Sequence, residues 1–180
     1  DYLIGSPLIA TLNHSNIYDS MFFCEKEPAF SNALELRLNF LKNKKLIIMK
    51  KGYEFCLDKI LERLSNNTSY SFFFIDPYCM EFDWASMKKV LKVRSDIIFT
   101  FMTSQIYRNV GLAKAGLSSG EGLKKLFGDN SWERANKAED LVDIYKNNIL
   151  KERIGAPIKI IKIQSDQFNF CYHLFFITNK

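Results

Sequence analysis

The stretch SFFFI at residues 71–75 is the most apolar run of the chain, and Asp-Pro-Tyr follows it directly at residues 76–78. A strand that is apolar without alternation is typical of the centre of a parallel sheet, where both faces are buried. Proline lacks a backbone N–H and ends such a strand. The stretch therefore predicts an α/β protein with a central buried strand and a polar loop at the carboxyl end of that strand.

Shorter apolar runs alternate with amphipathic stretches on both sides of this strand. Strands joined by helices run parallel, whereas two strands joined by a short turn form an antiparallel hairpin. We predict a three-layer α/β fold with a mostly parallel sheet, a helical insertion over residues 112–156 and a C-terminal antiparallel hairpin. Besides 71–75, the predicted strands cover residues 21–24, 45–49, 96–102, 158–163 and 168–177, and the predicted helices cover residues 28–41, 55–64 and 84–93.

The composition is that of a globular protein. With 180 residues, of which 47% are hydrophobic and 25% charged, the chain can bury a full core, and disordered, collagen-like and coiled-coil proteins are excluded. Its apolar runs fall far short of the ~20 residues that a membrane-spanning helix needs, so we expect no membrane association. The first residue is Asp1 rather than Met. We interpret residues 1–180 as a single domain that is incomplete at its N-terminus.

Charge and cysteine spacing leave the partner open. The 25 basic and 20 acidic residues give a net charge of +5. Lysine-rich clusters at residues 42–51 and 88–94 suit either the phosphates of a nucleic acid or an ordinary solvated surface. The four cysteines form no Cys-x-x-Cys pair, so we expect no metal site. Thiols in apolar segments are typical of a reducing, cytoplasmic environment.

Candidate cofactor-binding residues follow the first two predicted strands. In open α/β sheets, ligands bind beyond the carboxyl ends of the strands. Glu25 follows the strand 21–24, where its carboxylate can accept hydrogen bonds from both hydroxyls of a ribose; an ordinary surface carboxylate is the alternative. Gly52 and Tyr53 follow the strand 45–49. The Tyr53 ring is either a stacking face for adenine or a packing residue.

Candidate catalytic residues follow the most apolar strand. Pro77 leaves the Asp76 carbonyl without a ladder partner, so this carbonyl and the Asp76 carboxylate can both accept hydrogen bonds from an amino group. Tyr78 offers a face on which a flat base can stack. An ordinary Asp-Pro turn is the alternative. After the next strand, Arg108 and Asn109 are candidates for orienting a phosphate or a base, or for capping their loop.

Several segments spread over nearly the whole chain form one pattern: residues 5–10 (GSPLIA), 22–25 (FFCE), 74–78 (FIDPY) with Trp84, 98–102 (IFTFM), Arg108-Asn109, Phe127-Gly128 with Trp132, and 172–178 (YHLFFIT). Together they resemble the three-Cys-motif partner proteins. That family is similar in fold to class I S-adenosylmethionine-dependent methyltransferases, and it is named for its pairing with a separate three-cysteine protein.

The resemblance implies a Rossmann-like methyltransferase fold, whose first strand and Asp-x-Phe-Ala-Gly-x-Gly type loop would precede Asp1. It implies S-adenosylmethionine as cofactor and a three-Cys-motif protein as partner. By the same resemblance, Glu25 falls at the ribose position and Asp76-Pro77-Tyr78 at the catalytic position. The chain departs from the pattern at Cys79, where a glycine is usual, and after the second strand, where lysines stand in place of a common acid.

Two functions are open from the sequence. One is a methyltransferase that acts on an amino group of a nucleic-acid base. In that case Glu25 and Asp76 should lie side by side at the carboxyl edge of a single sheet. The other is a non-catalytic, methyltransferase-like binding module, whose lysines and helical insertion would contact a protein or a nucleic acid.

Overall fold

The chain forms two compact units, Asp1–Ser65 and Asn66–Lys180. That residues 1–180 make a single domain, with an insertion at 112–156, stays a prediction. The computed structural model describes residues 5–14, 17–39, 45–64, 69–165 and 170–179. Within those ranges no helix is long and apolar enough to cross a membrane, and no group of three or more His, Cys, Asp or Glu side chains is placed to hold a metal ion.

The first unit is a parallel pair of strands flanked by helices. Its elements are α1 (Ser6–His14), β1 (Met21–Cys24), α2 (Pro28–Asn39), β2 (Leu46–Met49) and α3 (Tyr53–Leu64). In the register, Phe22 stands opposite Ile47 and Cys24 opposite Met49. Because side chains alternate along a strand, these four residues share one face of the sheet. Arg63 of α3 lies over the Phe22 ring, 5.3 Å from its centroid, so α3 covers this face.

The order of elements in this unit follows the sequence pattern closely. The predicted strand 21–24 is confirmed residue for residue, and the predicted strand 45–49 within one residue. The helix α3 buries Cys56 and Leu57 on its inner side. It begins two residues before the predicted start, because the Gly52 carbonyl already accepts the Cys56 N–H at 3.1 Å and so starts the helical ladder.

The second unit is a mixed four-stranded sheet with helices. Its elements are β3 (Ser71–Ile75), α4 (Trp84–Leu91), β4 (Ser95–Phe101), α5 (Thr103–Lys114), α6 (Glu121–Phe127), a 3-10 turn (Ser131–Arg134), α7 (Ala138–Glu152), β5 (Ile158–Gln164) and β6 (Cys171–Ile177). The strand order is β3-β4-β6-β5. β3 and β4 run parallel, and β6 pairs antiparallel with both β4 and β5.

The predicted C-terminal hairpin is confirmed by the pairing of β5 with β6, although part of its predicted turn lies outside the described residues. A mostly parallel sheet is not confirmed, because this sheet is mixed. The prediction of a central strand at residues 71–75 is not confirmed: among the described strands β3 lies at one edge of its sheet, and Phe72 and Phe74 are 44% and 51% exposed. An apolar run alone does not distinguish an edge strand from a central one.

Tyr145 lies at the centre of the core of the second unit. It is fully buried, and its ring centroid lies 5.0 to 5.8 Å from the rings of Trp84, Phe99, Phe101, Phe127 and Phe175. Trp132 is buried too, as a packing residue. Gly128 has a left-handed backbone with φ of 79°, and Trp84 occupies the place of a Cβ there, so only glycine fits this turn.

Candidate functional site

The carboxyl edge of the β1–β2 pair brings together the predicted cofactor-binding residues. Glu25 directly follows β1, and Gly52 and Tyr53 follow β2. Because the two strands are parallel and in register, their carboxyl ends lie side by side. The structure therefore places all three residues at one edge of the first unit.

The Glu25 carboxylate is half-buried and held in one orientation. The Glu25 N–H donates to the Met49 carbonyl at 3.1 Å, which ties the loop to β2. The carboxylate atom Oε1 accepts the Glu27 N–H at 2.9 Å, immediately before α2 begins. Among the described residues, Oε2 has no hydrogen-bond donor. A carboxylate oriented by one oxygen can still accept a ligand hydroxyl with the other.

Gly52 and Tyr53 form the start of α3. A Cβ on Gly52 would lie 3.2 Å from the end of the Glu54 side chain, which can move aside, so space alone does not require glycine. The Tyr53 ring is half-buried. The preceding Lys50 donates to the Glu35 carboxylate of α2 at 2.7 Å. This ion pair joins α2 to the loop after β2.

The same unit contains a groove of about 450 Å³ between α3 and the sheet. Its apolar lining includes Phe22, Ile47, Met49 and Phe55. Charged side chains of α3 complete the lining, and two of them, Lys59 and Glu62, form an ion pair at 2.8 Å. The groove contains none of the predicted site residues.

The carboxyl edge of β3 and β4 carries the predicted catalytic residues. Asp76, Pro77 and Tyr78 follow β3, and α5, which contains Arg108 and Asn109, follows β4. Since β3 and β4 are parallel, their carboxyl ends share one edge. Asp76 is exposed, and Tyr78 is 74% exposed. Both side chains are therefore accessible to a ligand.

Cys79 gives this loop its unusual backbone. Its φ is 55°, the left-handed region, and among the described residues no other non-glycine residue has a positive φ. For a residue with a Cβ this conformation costs roughly 1–3 kcal/mol. The resemblance to a family with glycine at this position is consistent with that geometry. Burial raises the pKa of the Cys79 thiol, which disfavours the thiolate that a nucleophile needs.

The two predicted substrate residues have different surroundings. The Asn109 amide nitrogen lies 3.9 Å from the Cys79 sulfur and donates to the Gln105 carbonyl at 2.9 Å, so α5 contacts the loop after β3. Arg108 is exposed, and no described side chain pairs with its guanidinium. One turn before Asn109, the buried Gln105 Oε1 has no donor among the described residues. An orphaned acceptor of this kind is rare in folded proteins.

Two contacts that sequence analysis did not identify fix the start of α5 against β6. The Thr103 hydroxyl lies 2.6 Å from Nδ1 of the buried His173. The Ser104 hydroxyl donates to the Cys171 carbonyl at 3.0 Å and accepts the Cys171 N–H at 3.1 Å. Burial lowers the pKa of His173, which favours its neutral form. The sequence signal was the pair of hydroxyl residues at the start of α5, but their partners lie about 70 residues away in the chain.

Glu25 and Asp76 do not belong to one continuous sheet. β1 lies in the two-stranded sheet and β3 in the four-stranded sheet, so the expected common edge is not confirmed. Each carboxylate does lie at the carboxyl end of its own parallel strand pair. The roles assigned to these residues stay predictions.

No protein-family model matches the chain, and no curated protein matches it. Among solved structures, the chain is similar to the methyltransferase domain of bacterial CtHen1, with a TM-score of 0.52 and 10% sequence identity over 97% of this chain and 85% of that one. The fold is methyltransferase-like. At this identity the likeness is one of fold, and membership of the three-Cys-motif partner family stays a prediction.

Proposed function

We propose that the protein is an S-adenosylmethionine-dependent methyltransferase that acts on an amino group of a nucleic-acid base. The observation that carries the proposal is the loop after β3, which presents the Asp76 carboxylate and the Tyr78 ring to solvent at the carboxyl edge of a methyltransferase-like fold. Ligands of open α/β sheets bind at this edge. A hydrogen-bond acceptor beside an aromatic face suits an amino group on a flat base.

The first unit fits the adenosine part of the cofactor. Glu25 has an oriented carboxylate with one oxygen able to accept a ribose hydroxyl. Tyr53 and Gly52 lie at the same edge, where the ring can stack on adenine and the glycine leaves room beside it. When bound, S-adenosylmethionine would supply an electrophilic methyl group.

The second unit fits the base. Asp76 would accept a hydrogen bond from the amino group, which orients its lone pair and increases its electron density. Tyr78 would stack on the base, a contact worth about 1–3 kcal/mol. The Arg108 guanidinium, which pairs with no described side chain, would bind a phosphate of the nucleic acid.

Calorimetric titration with S-adenosylmethionine tests the cofactor half. Glu25→Gln removes the charge but keeps an acceptor for the Glu27 N–H, so we expect about tenfold weaker binding with an unchanged fold. Glu27→Gln is the matched control, because its exposed carboxylate lies two residues away; it should bind as the wild type does. A wild-type protein that binds no cofactor would overturn the proposal.

Transfer of a radiolabelled methyl group to single-stranded oligonucleotides tests the substrate half. Asp76→Asn should lower kcat at least about 100-fold while cofactor affinity is kept. Tyr78→Ala should raise KM for the oligonucleotide, and Tyr78→Phe should restore it. Glu81→Gln, an exposed carboxylate close to the same loop, serves as control. If Asp76→Asn transfers methyl groups at the wild-type rate, Asp76 does not hold the amino group.

A non-catalytic binding module is the second candidate. The membership of Glu25 and Asp76 in different sheets favours it. In this version lysines contact a nucleic acid or a protein such as a three-Cys-motif partner. Binding should then weaken and its salt dependence flatten when alanine replaces Lys50, Lys51, Lys88 and Lys89.

A further inference from the structure

Two cysteines of the first unit meet where β1 faces α3. Cys24 is the last residue of β1 and is exposed, whereas Cys56 of α3 is fully buried. Cys24 stands opposite Met49 on the sheet face that α3 covers. The Cys56 thiol lies 3.9 Å from the Met49 carbonyl and 3.4 Å from the Lys51 carbonyl. Both cysteines therefore lie next to Met49.

The acidity of Cys24 supports a direct contact between the two thiols. Partial burial, a hydrogen bond with Cys56 and charge repulsion from Cys56 raise the pKa of Cys24 to about 12. At neutral pH the Cys24 thiol therefore stays protonated, and only a small fraction of it is present as reactive thiolate. Cys24 therefore reacts slowly with an oxidant, but the Cys56 thiol already lies within hydrogen-bond reach of it.

We propose that Cys24 and Cys56 form a reversible disulfide whose oxidant is a small disulfide such as oxidised glutathione. The exposed Cys24 thiol loses its proton, attacks one sulfur of the oxidant and releases one glutathione. The Cys56 thiol then loses its proton, attacks the Cys24 sulfur and releases the second glutathione. Two protein thiols are oxidised to one disulfide and one glutathione disulfide is reduced to two thiols, so protons and electrons balance.

The bond would join the carboxyl end of β1 to the start of α3. Both strands of this sheet have only four residues, so few ladder hydrogen bonds hold the edge, and a cross-link would reduce its freedom to open. Glu25 directly follows Cys24, and Tyr53 lies one helical turn before Cys56. Oxidation would therefore fix the edge that carries both. This proposal does not depend on methyl transfer.

Mass spectrometry of the full chain, equilibrated in glutathione buffers of rising oxidised fraction and then alkylated, tests the site. We expect a species two hydrogens lighter in which one cross-linked peptide pair contains Cys24 and Cys56. Cys79 and Cys171 should stay alkylated, and dithiothreitol should reverse the change. A protein that stays fully reduced, keeps glutathione bound at Cys24, or links other cysteines would overturn the proposal.

Cysteine variants add a matched comparison. Cys56→Ser should trap glutathione on Cys24, whereas the double variant Cys79→Ser/Cys171→Ser should still form the internal disulfide. If the Cys56→Ser variant does not fold, two measurements still test the proposal. The peptide map of the wild type identifies which cysteines are linked, and Cys24→Ser should form no internal disulfide. The rate of oxidation should rise about tenfold per pH unit and should keep rising above pH 9, the ordinary pKa of a thiol, because the pKa of Cys24 is raised to about 12. A rate that levels off near the ordinary thiol pKa would contradict contact between the two thiols.

Discussion

Removal of the Arg153 guanidinium should destabilise the second unit strongly. Arg153 follows α7, and its half-buried side chain donates hydrogen bonds to the end of α4 and the start of β4. Nε donates to the Leu91 carbonyl and Nη1 to the Ser95 carbonyl, both at 2.8 Å. Nη2 donates to the Val90 and Val93 carbonyls at 3.2 and 2.8 Å. One side chain therefore holds the backbone between α4 and β4.

The expected loss follows from the acceptors that Arg153→Ala leaves behind. The Val90 carbonyl keeps the Val93 N–H as donor, and the Val93 carbonyl keeps the Ser95 hydroxyl. The Leu91 and Ser95 carbonyls each lose a charge-assisted bond. Each such loss costs about 1–3 kcal/mol in a buried site. Because water reaches this half-buried position, we expect about 3 kcal/mol in total, or a Tm lower by about 6–12 °C for a chain of this size.

Thermal and urea unfolding followed by far-UV circular dichroism measure this loss. Arg134→Ala is the matched control, because this exposed side chain makes one long hydrogen bond of 3.5 Å to the Ser131 carbonyl; it should change stability by less than about 0.5 kcal/mol. Arg153→Lys keeps the charge near the end of α4 but not the planar fork, so it should recover less than half of the loss. Equal Tm values for Arg153→Ala and Arg134→Ala would refute the reasoning.

Three further changes probe the second unit. Cys79→Gly should raise the urea midpoint, by about 1 kcal/mol of stability, because glycine adopts a φ of 55° without strain; a lower midpoint would mean that the Cys79 side chain stabilises the loop. Tyr145→Phe removes a buried hydroxyl that has no partner among the described residues, so its Tm should stay equal or rise, and a clear fall would contradict this. Burial lowers the pKa of His173 below its ordinary 6.5, so the unfolded chain takes up a proton first as pH falls, and stability should decrease below about pH 6.5. His173→Gln should flatten that decrease in urea titrations repeated across pH, and an unchanged slope would exclude His173 as its source.

Local sequence patterns predicted the strands of this protein well, because each strand carries its own signal. They missed the first part of α5 (Thr103–Lys114), where Arg108 and Asn109 were expected in a loop. The run at residues 21–24 is apolar and ends at a charged residue, and β1 has those bounds. The position of a strand within its sheet was harder to predict. Residues 71–75 are apolar on both faces, yet β3 lies at the edge of the described four-stranded sheet, since which strands lie beside it depends on the whole chain rather than on its own residues.

The candidate site was predictable only where it depends on strand ends. Glu25 and Asp76 were predicted because ligands of α/β sheets bind beyond the carboxyl ends of strands, and the structure places them directly after β1 and β3; their roles stay predictions. The contacts that support these ends were not found, because their partners are distant in the sequence. His173 is 70 residues from Thr103, and no periodicity links Cys24 to Cys56.

Cys79 has a strained backbone and lies in the loop that contains the predicted catalytic residues Asp76 and Tyr78. A residue with a Cβ in the left-handed region costs free energy, and folded proteins retain such positions mainly where the surrounding structure holds them for a purpose. Here Pro77 restricts the backbone two residues earlier, and Asn109 contacts the Cys79 sulfur. The strained residue directly follows the exposed Tyr78. The strain therefore lies in the loop that contains Asp76 and Tyr78, and the proposed reaction would require both side chains to be held in place.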